Sequence, residues 1–117
     1  MLSDAHRLRK QKDIERVLST GRGVFFAGLR LKASANGGTT TRFCFVVSSA
    51  VAKKAHDRNR FKRRLREAAR LSIGAVAVGY DIVVWLQRQP ADKSGLSLAG
   101  AFKTVLAKAG LLAPLTN

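Results

Sequence analysis

The sequence predicts an α/β fold, a sandwich in which helices pack on a small mixed sheet, in the order helix, strand, strand, helix, strand, helix. Two observations lead there. Segments with apolar residues at i, i+3 and i+4 alternate along the chain with short runs rich in β-branched and aromatic residues. Hydrophobic residues make up 46% of 117, enough for one core despite a net charge of +15. Residues 1–117 read as a single domain, without an internal repeat, a low-complexity segment or a dividing linker.

The segment "QKDIERVLSTG" places Ile14, Val17 and Leu18 on one helical face, giving a first helix over about residues 11–20 with Gly21 as its C′ residue. Next come "VFFAGLRLKAS" and "TTTRFCFVVSS", two strands separated by "ANGG". Asn-Gly supplies the positive φ values of a tight turn, so the two strands are expected to form a hairpin. Phe43, Phe45 and Val47 alternate onto one face of the second strand, with Cys44 and Val46 on the other. "AHDRNRFKRRLREAAR" is the second helix, and "YDIVVWL" is a third strand, apolar enough to be buried on both faces. Pro90 and Gly95 bracket a loop. From Ser97, an N-cap, the residues Leu98, Phe102, Val105 and Ala109 recur at helical spacing, and Gly110 should end that last helix.

The second helix carries the functional signal. Six of the nine residues from Arg58 to Arg66 are Lys or Arg. At 100° per residue, Phe61, Leu65, Ala68, Ala69 and Ser72 share one arc, while Asn59, Arg60, Lys62, Arg63, Arg64, Arg66 and Arg70 occupy the opposite one. Only Asp57 and Glu67 offset the nine basic residues between Lys53 and Arg70. Like charges at i, i+4, such as Arg58/Lys62 and Arg60/Arg64, oppose the helix, so an external polyanion must supply the counter-charge. Arginine predominates, which favours phosphate and planar base edges. On these grounds RNA and a DNA major groove both remain open, as does a small ribosomal or RNA-chaperone role.

Other classes are disfavoured. The longest apolar stretch, "IGAVAVGYDIVVWL", is broken by Gly79, Tyr80 and Asp81, so no membrane span is expected. Met1 to Gly21 has no apolar signal core, and a cytoplasmic location is expected. Cys44 reads as a buried, inert thiol. No catalytic residue and no metal ligand is assigned: His56 and Asp57 are adjacent and so diverge on a helix, and His6 has no acid fixed beside it. Asp81 is expected in a structural ion pair with a helix arginine.

"AHDRNRFKRRLREAAR" resembles the signature of the protein subunit of bacterial ribonuclease P, in Arg58, Asn59, Arg60, Lys62 and Arg63. "HRLRK", "KDIERVLSTG" and "YDIVVWL" resemble that family's N-terminal segment, first helix and last strand, in the same order, so the likeness covers about residues 6–112. It implies that an RNA partner hydrolyses the phosphodiester with Mg²⁺ held mainly by the RNA, removing the 5′ leader of precursor tRNA. The protein would bind that RNA and hold the leader, with no further protein partner required. By position the RNA contacts would be Arg58, Asn59, Arg60, Lys62, Arg63 and Arg66, with Lys53, Lys54, Arg64 and Arg70 beside them. The resemblance also implies a leader cleft between the sheet and the first helix, and a left-handed crossover between two parallel strands. Arg7, Arg9, Lys10, Ile14, Leu18, Phe43 and Phe45 are the candidates for that cleft, with Phe25 or Phe26 nearby. Core packing is the competing role of each phenylalanine. Two departures stand out: Ile14 and Leu18 replace the family's usual aromatics, and Ser49 and Ala50 replace two lysines.

Overall fold

A strand of seven residues with a single charged side chain, Asp81, gains most where both of its edges are paired and most of its side chains are buried. Tyr80–Leu86 takes that place. The computed structural model describes residues 2–88 and 97–112; the loop expected between Pro90 and Gly95 lies outside them. The elements are a 3₁₀ turn at Asp4–His6, then α1 (Gln11–Thr20), β1 (Arg22–Phe26), β2 (Leu29–Ala35), β3 (Arg42–Val47), α2 (Ala55–Ser72), a 3₁₀ turn at Ile73–Ala75, β4 (Tyr80–Leu86) and α3 (Leu98–Lys108). The sheet order is β1-β2-β4-β3, antiparallel except for the parallel pair of β3 and β4. A parallel pair needs a crossover, and α2 is that connection.

Three expectations are corrected. First, "VFFAGLRLKAS" is two strands, because Ala27 (φ 50°) and Gly28 (φ 86°) make a two-residue turn of positive φ. A Cβ on Gly28 would also stand 2.5 Å from the Arg88 carbonyl oxygen, so glycine is required there twice over. Second, β2 and β3 are not a hairpin: β4 lies between them. The Asn-Gly segment instead forms a bridge past the start of β4. Asn36 accepts from the Gly38 N–H through its side chain (2.8 Å), and its backbone N–H donates to the Gly79 carbonyl (2.8 Å). The central position went to the more apolar strand. Third, Gly21 is extended (φ −73°) rather than left-handed, and its lack of a Cβ serves close packing, since that atom would fall 2.4 Å from the Val17 carbonyl oxygen.

The helices fall as expected. α1 has the anticipated limits, the Ser97 hydroxyl caps α3 by accepting from the Gly100 N–H (3.0 Å), and Gly110 turns out of α3 at φ 73°. α2 and α3 cover one sheet face. There Leu65, Ala68 and Ala69 of α2 are buried with Leu29, Leu31, Ile82, Val84 and Leu86 of the sheet. Phe43 and Phe45 stack with ring centres 5.7 Å apart, and Phe102 meets both edge-on at 5.9 and 5.8 Å. The Phe43–Phe45–Phe102 trio is therefore the centre of the core.

α1 packs on the opposite face over a smaller cluster of Leu8, Val17 and Val83. So small a cluster would hold a ten-residue helix weakly; a buried carboxylate strengthens the attachment. Asp81 is wholly enclosed and accepts from Arg42 through two nitrogens (2.8 and 2.7 Å), from Asn36 (3.0 Å) and from Arg16 of α1. This is the ion pair with a helix arginine that the sequence suggested. Burial alone would raise the Asp81 pKa, but the hydrogen bonds from Arg42 and Asn36 and the charges of Arg42 and Arg16 outweigh it, leaving the group below the ordinary carboxylate value. Because the folded-state pKa is the lower one, this stabilisation is present above the unfolded value, about 3.9, and is lost as pH falls through the depressed folded value. Asp81→Asn should lower stability at pH 7 by about 3 kcal/mol, as for breaking a buried pair. Denaturant titrations from pH 7 to pH 2 should also show that the variant loses the acid-induced destabilisation contributed by this group.

Candidate nucleic-acid interface

α2 buries Leu65, Ala68, Ala69 and Ser72 and presents its cations on the remaining three sides, as the 3.6-residue period requires. Asn59, Arg60, Arg63 and Arg64 are exposed. Lys62 and Arg66, half-buried, flank Cys44 of β3. Lys53 and Lys54 are exposed just before the first turn. Two of the anticipated contacts are partly engaged within the chain. The Arg58 guanidinium turns back and donates to the carbonyls of Ala52 (3.0 Å) and Lys53 (2.6 Å), and Arg70 pairs with Glu67, its Nε reaching both carboxylate oxygens at 3.1 Å.

The N-terminal segment extends this surface. The Leu8 N–H donates to the Phe43 carbonyl (2.8 Å), laying the segment along the free edge of β3. Arg7, Arg9 and Arg66 then line one recess of about 270 Å³, together with Leu2, Leu8 and Cys44. Burial, followed by repulsion from Arg7 and Arg9, pushes the Arg66 pKa below its ordinary value. Asp4 offsets the cluster only in part, at 2.9 Å from Arg9 and 3.8 Å from Arg7. Cys44 is half-buried rather than buried, and that burial pushes its thiol up, against the opposing influence of Lys62 and Arg66. Lys10 is exposed at the N-cap of α1.

The sheet face beneath α1 is only half covered, and here the anticipated cleft residues need correction. Phe43 and Phe45 point the other way, into the core, at 2% and 6% exposure, and cannot stack on a base. Ile14 packs against the Leu8–Val17–Val83 cluster; Leu18 is 39% exposed at the cleft. The open part of the floor is a row of which the sequence reading offered only Phe25. Register aligns Phe25 with Arg30, Arg30 with Trp85, and Trp85 with Val46, so one row crosses all four strands, roughly 14 Å at about 4.8 Å per strand. Arg30 sits over the Trp85 ring at 5.9 Å and Arg88 over Phe25 at 5.8 Å. Phe25 is 46% exposed and Val46 38%. In the next row Lys32 donates to the Leu18 carbonyl (2.9 Å), which places its ammonium at the C-terminal end of α1, where the helix dipole favours a cation. Alternation in "YDIVVWL" was the available signal: it sets Asp81, Val83 and Trp85 on one face and Ile82, Val84 and Leu86 on the other.

A cationic crossover helix beside a half-open floor of alternating rings and guanidiniums defines a small polyanion-binding α/β protein. The family model described as Ribonuclease P matches residues 2–110. The ribonuclease P protein component of a Pseudanabaena species is 37% identical over 116 residues, covering 96% of this chain and 97% of that one. That of Symbiobacterium thermophilum is 35% identical over 112 residues, covering 95% and 96%. Among solved structures, the Thermotoga maritima RNase P protein superposes with a TM-score of 0.62 at 29% identity, covering 87% of this chain and 89% of that one. The Staphylococcus aureus RNase P protein shares the fold at a TM-score of 0.77 and 24% identity, covering 92% and 97%. This chain belongs to the ribonuclease P protein family, and is therefore the protein subunit of an endoribonuclease ribonucleoprotein whose partner is the ribonuclease P RNA. Among the described residues no helix is long and apolar enough to cross a membrane.

Replacing Arg60 or Arg63 by alanine removes one exposed cation with no acidic partner among the described residues, and the slope of log K against log salt for RNA binding should become shallower by about 0.7–0.9 for each. Arg58→Ala should differ, lowering thermal stability as well, because its guanidinium holds the Ala52–Lys53 carbonyls. Binding titrations at four salt concentrations, with melting curves alongside, separate the two effects.

Proposed function

We propose that α2 and the N-terminal arginines dock on the catalytic RNA, while the open half of the sheet beneath α1 holds the single-stranded 5′ leader of precursor tRNA. The observation that carries this reading is the Phe25–Arg30–Trp85–Val46 row, flanked by Leu18 and Lys32. A single strand bound without sequence preference needs a positive groove and flat surfaces on which successive bases stack, and this row supplies both within one strand's width. It also answers the departure at Ile14 and Leu18: the π-faces stand on the floor, in Phe25 and Trp85, rather than on the helix.

Catalysis belongs to the RNA in this proposal. Hydrolysis at low Mg²⁺ is helped because cations of the protein replace some of the metal's charge screening and fix the leader's path. This proposal leaves the Mg²⁺ to the RNA: among the described residues no three His, Cys, Asp or Glu side chains come together, and the Asp81 carboxylate is taken by Arg16, Arg42 and Asn36. The complex would act in the cytoplasm, where precursor tRNA is made.

The test is reconstitution with the ribonuclease P RNA of the same genome at low Mg²⁺, following 5′ cleavage of a precursor tRNA. Stimulation by the protein should fall when the leader is trimmed to one nucleotide. Trp85→Ala should weaken binding of the long-leader substrate by about tenfold, within the ~1–3 kcal/mol of one stacked base, and Trp85→Phe should restore most of it. Equal stimulation with long and trimmed leaders would remove the leader from this face.

A further inference from the structure

The flank of α2 facing away from the N-terminal arginines carries a second kind of chemistry. Asp57, Arg60, Phe61 and Arg64, at i, i+3, i+4 and i+7, share that flank and line a recess of about 280 Å³ whose other wall is Val51 and Ala52. The wall is held in place by Arg58, which donates to the Ala52 and Lys53 carbonyls. Arg64 lies over the Phe61 ring at 5.9 Å, so ring and guanidinium already form a layered edge to the recess. Asp57 is the unusual member. The other acid of this helix, Glu67, is paired with Arg70, yet among the described residues no donor reaches the Asp57 carboxylate, although Arg60 and Arg64 flank it. Its place in the first turn suits the helix dipole, but that accounts for the charge and leaves both oxygens free to accept.

A carboxylate inside a phosphate-binding surface repels the backbone of any nucleic acid, so its presence there needs a group that donates to it. An ionised carboxylate only accepts. Guanine is the base whose Watson–Crick edge offers two adjacent donors, N1–H and N2–H, matching two carboxylate oxygens. Cytosine and adenine each present one exocyclic amine beside an acceptor, and uracil's N3–H lies between two acceptors. That edge is available only where the guanine is unpaired, as in the loops and bulges through which RNA is read in sequence. We propose that Asp57 and Phe61 form a pocket for one unpaired guanine of RNA, Asp57 accepting from N1–H and N2–H, the Phe61–Arg64 layer stacking on the base, and Arg60 contacting an adjoining phosphate. This rests on the docking of α2 on RNA and adds a base-specific point of register to it.

The test uses the full-length protein and labelled pentanucleotides UUNUU, with each base in turn at the centre, in anisotropy titrations at one salt concentration. The wild type should bind the guanine-centred oligonucleotide about tenfold tighter than the other three, the lower end for a bidentate base contact. Asp57→Asn can no longer accept at both atoms and should bring that ratio close to one, while binding of the other three holds or tightens because a negative charge has gone. Glu67→Gln makes the same charge change outside the recess and should keep the guanine ratio. Equal affinities for all four in the wild type, a guanine preference that survives Asp57→Asn, or one that Glu67→Gln abolishes equally, would each overturn the pocket while leaving RNA docking intact. Failure to bind any oligonucleotide or the ribonuclease P RNA would overturn the docking itself, and the pocket with it.

Discussion

The placement of α1 depends on one buried carboxylate. Asp81 lies in the central strand, takes hydrogen bonds from Arg16, Arg42 and Asn36, and so joins α1, β3 and the β2–β3 bridge to β4 at a single point. A buried acid is costly unless paired, and here two guanidiniums and an amide meet that cost. The consequence is geometric. With α1 fixed above the Asp81 end of the sheet, the helix covers Val83 and Cys44, while in the next row Trp85 packs against that cluster with part of its ring still accessible and Arg30 is exposed. A longer α1, or one held at the other end, would close this part of the sheet face.

The charge of the molecule is arranged by the same economy of elements. α2 must bury one narrow stripe, and small residues on that stripe, Ala68 and Ala69, let it lie close to the sheet. Everything outside the stripe is then free to be cationic. One flank joins Arg7 and Arg9 across the edge of β3, where three guanidiniums share a recess with little acid to offset them. The opposite flank adds to its arginines an aromatic ring and a carboxylate that no donor reaches among the described residues. Repulsion on this scale favours the bound state, so the isolated protein should gain stability from polyanions generally.

Much of this was legible in the sequence, and the misses have definite causes. Helical periodicity located α1 and α3 and the buried arc of α2, because a 3.6-residue pattern is local. The arginine-rich motif located the cationic face of α2 for the same reason. Strand pairing is not local, and Asn36–Gly37, a strong hairpin signal, was overridden by the advantage of placing the most apolar strand between two others. The Ala27–Gly28 turn was hidden because alanine seldom occupies positive φ. Phe43 and Phe45 were offered as stacking surfaces, but alternation alone cannot say which face of a strand meets the core. Once β4 is known to be central, with Asp81 and Val83 under α1, Trp85 must fall on the same side, and the core falls to the phenylalanines.

Trp85 is the one tryptophan of the chain, which makes its emission a direct report on the floor of the cleft. Intrinsic fluorescence should be followed while a short, unstructured RNA with the sequence of a precursor tRNA leader is added at moderate salt. Saturable quenching, with a midpoint matching binding measured on a label carried by the RNA, is the result expected if bases stack on the open row. Binding that saturates by the RNA label while Trp85 emission stays unchanged would contradict it, and would place the leader on α2 or the N-terminal arginines instead.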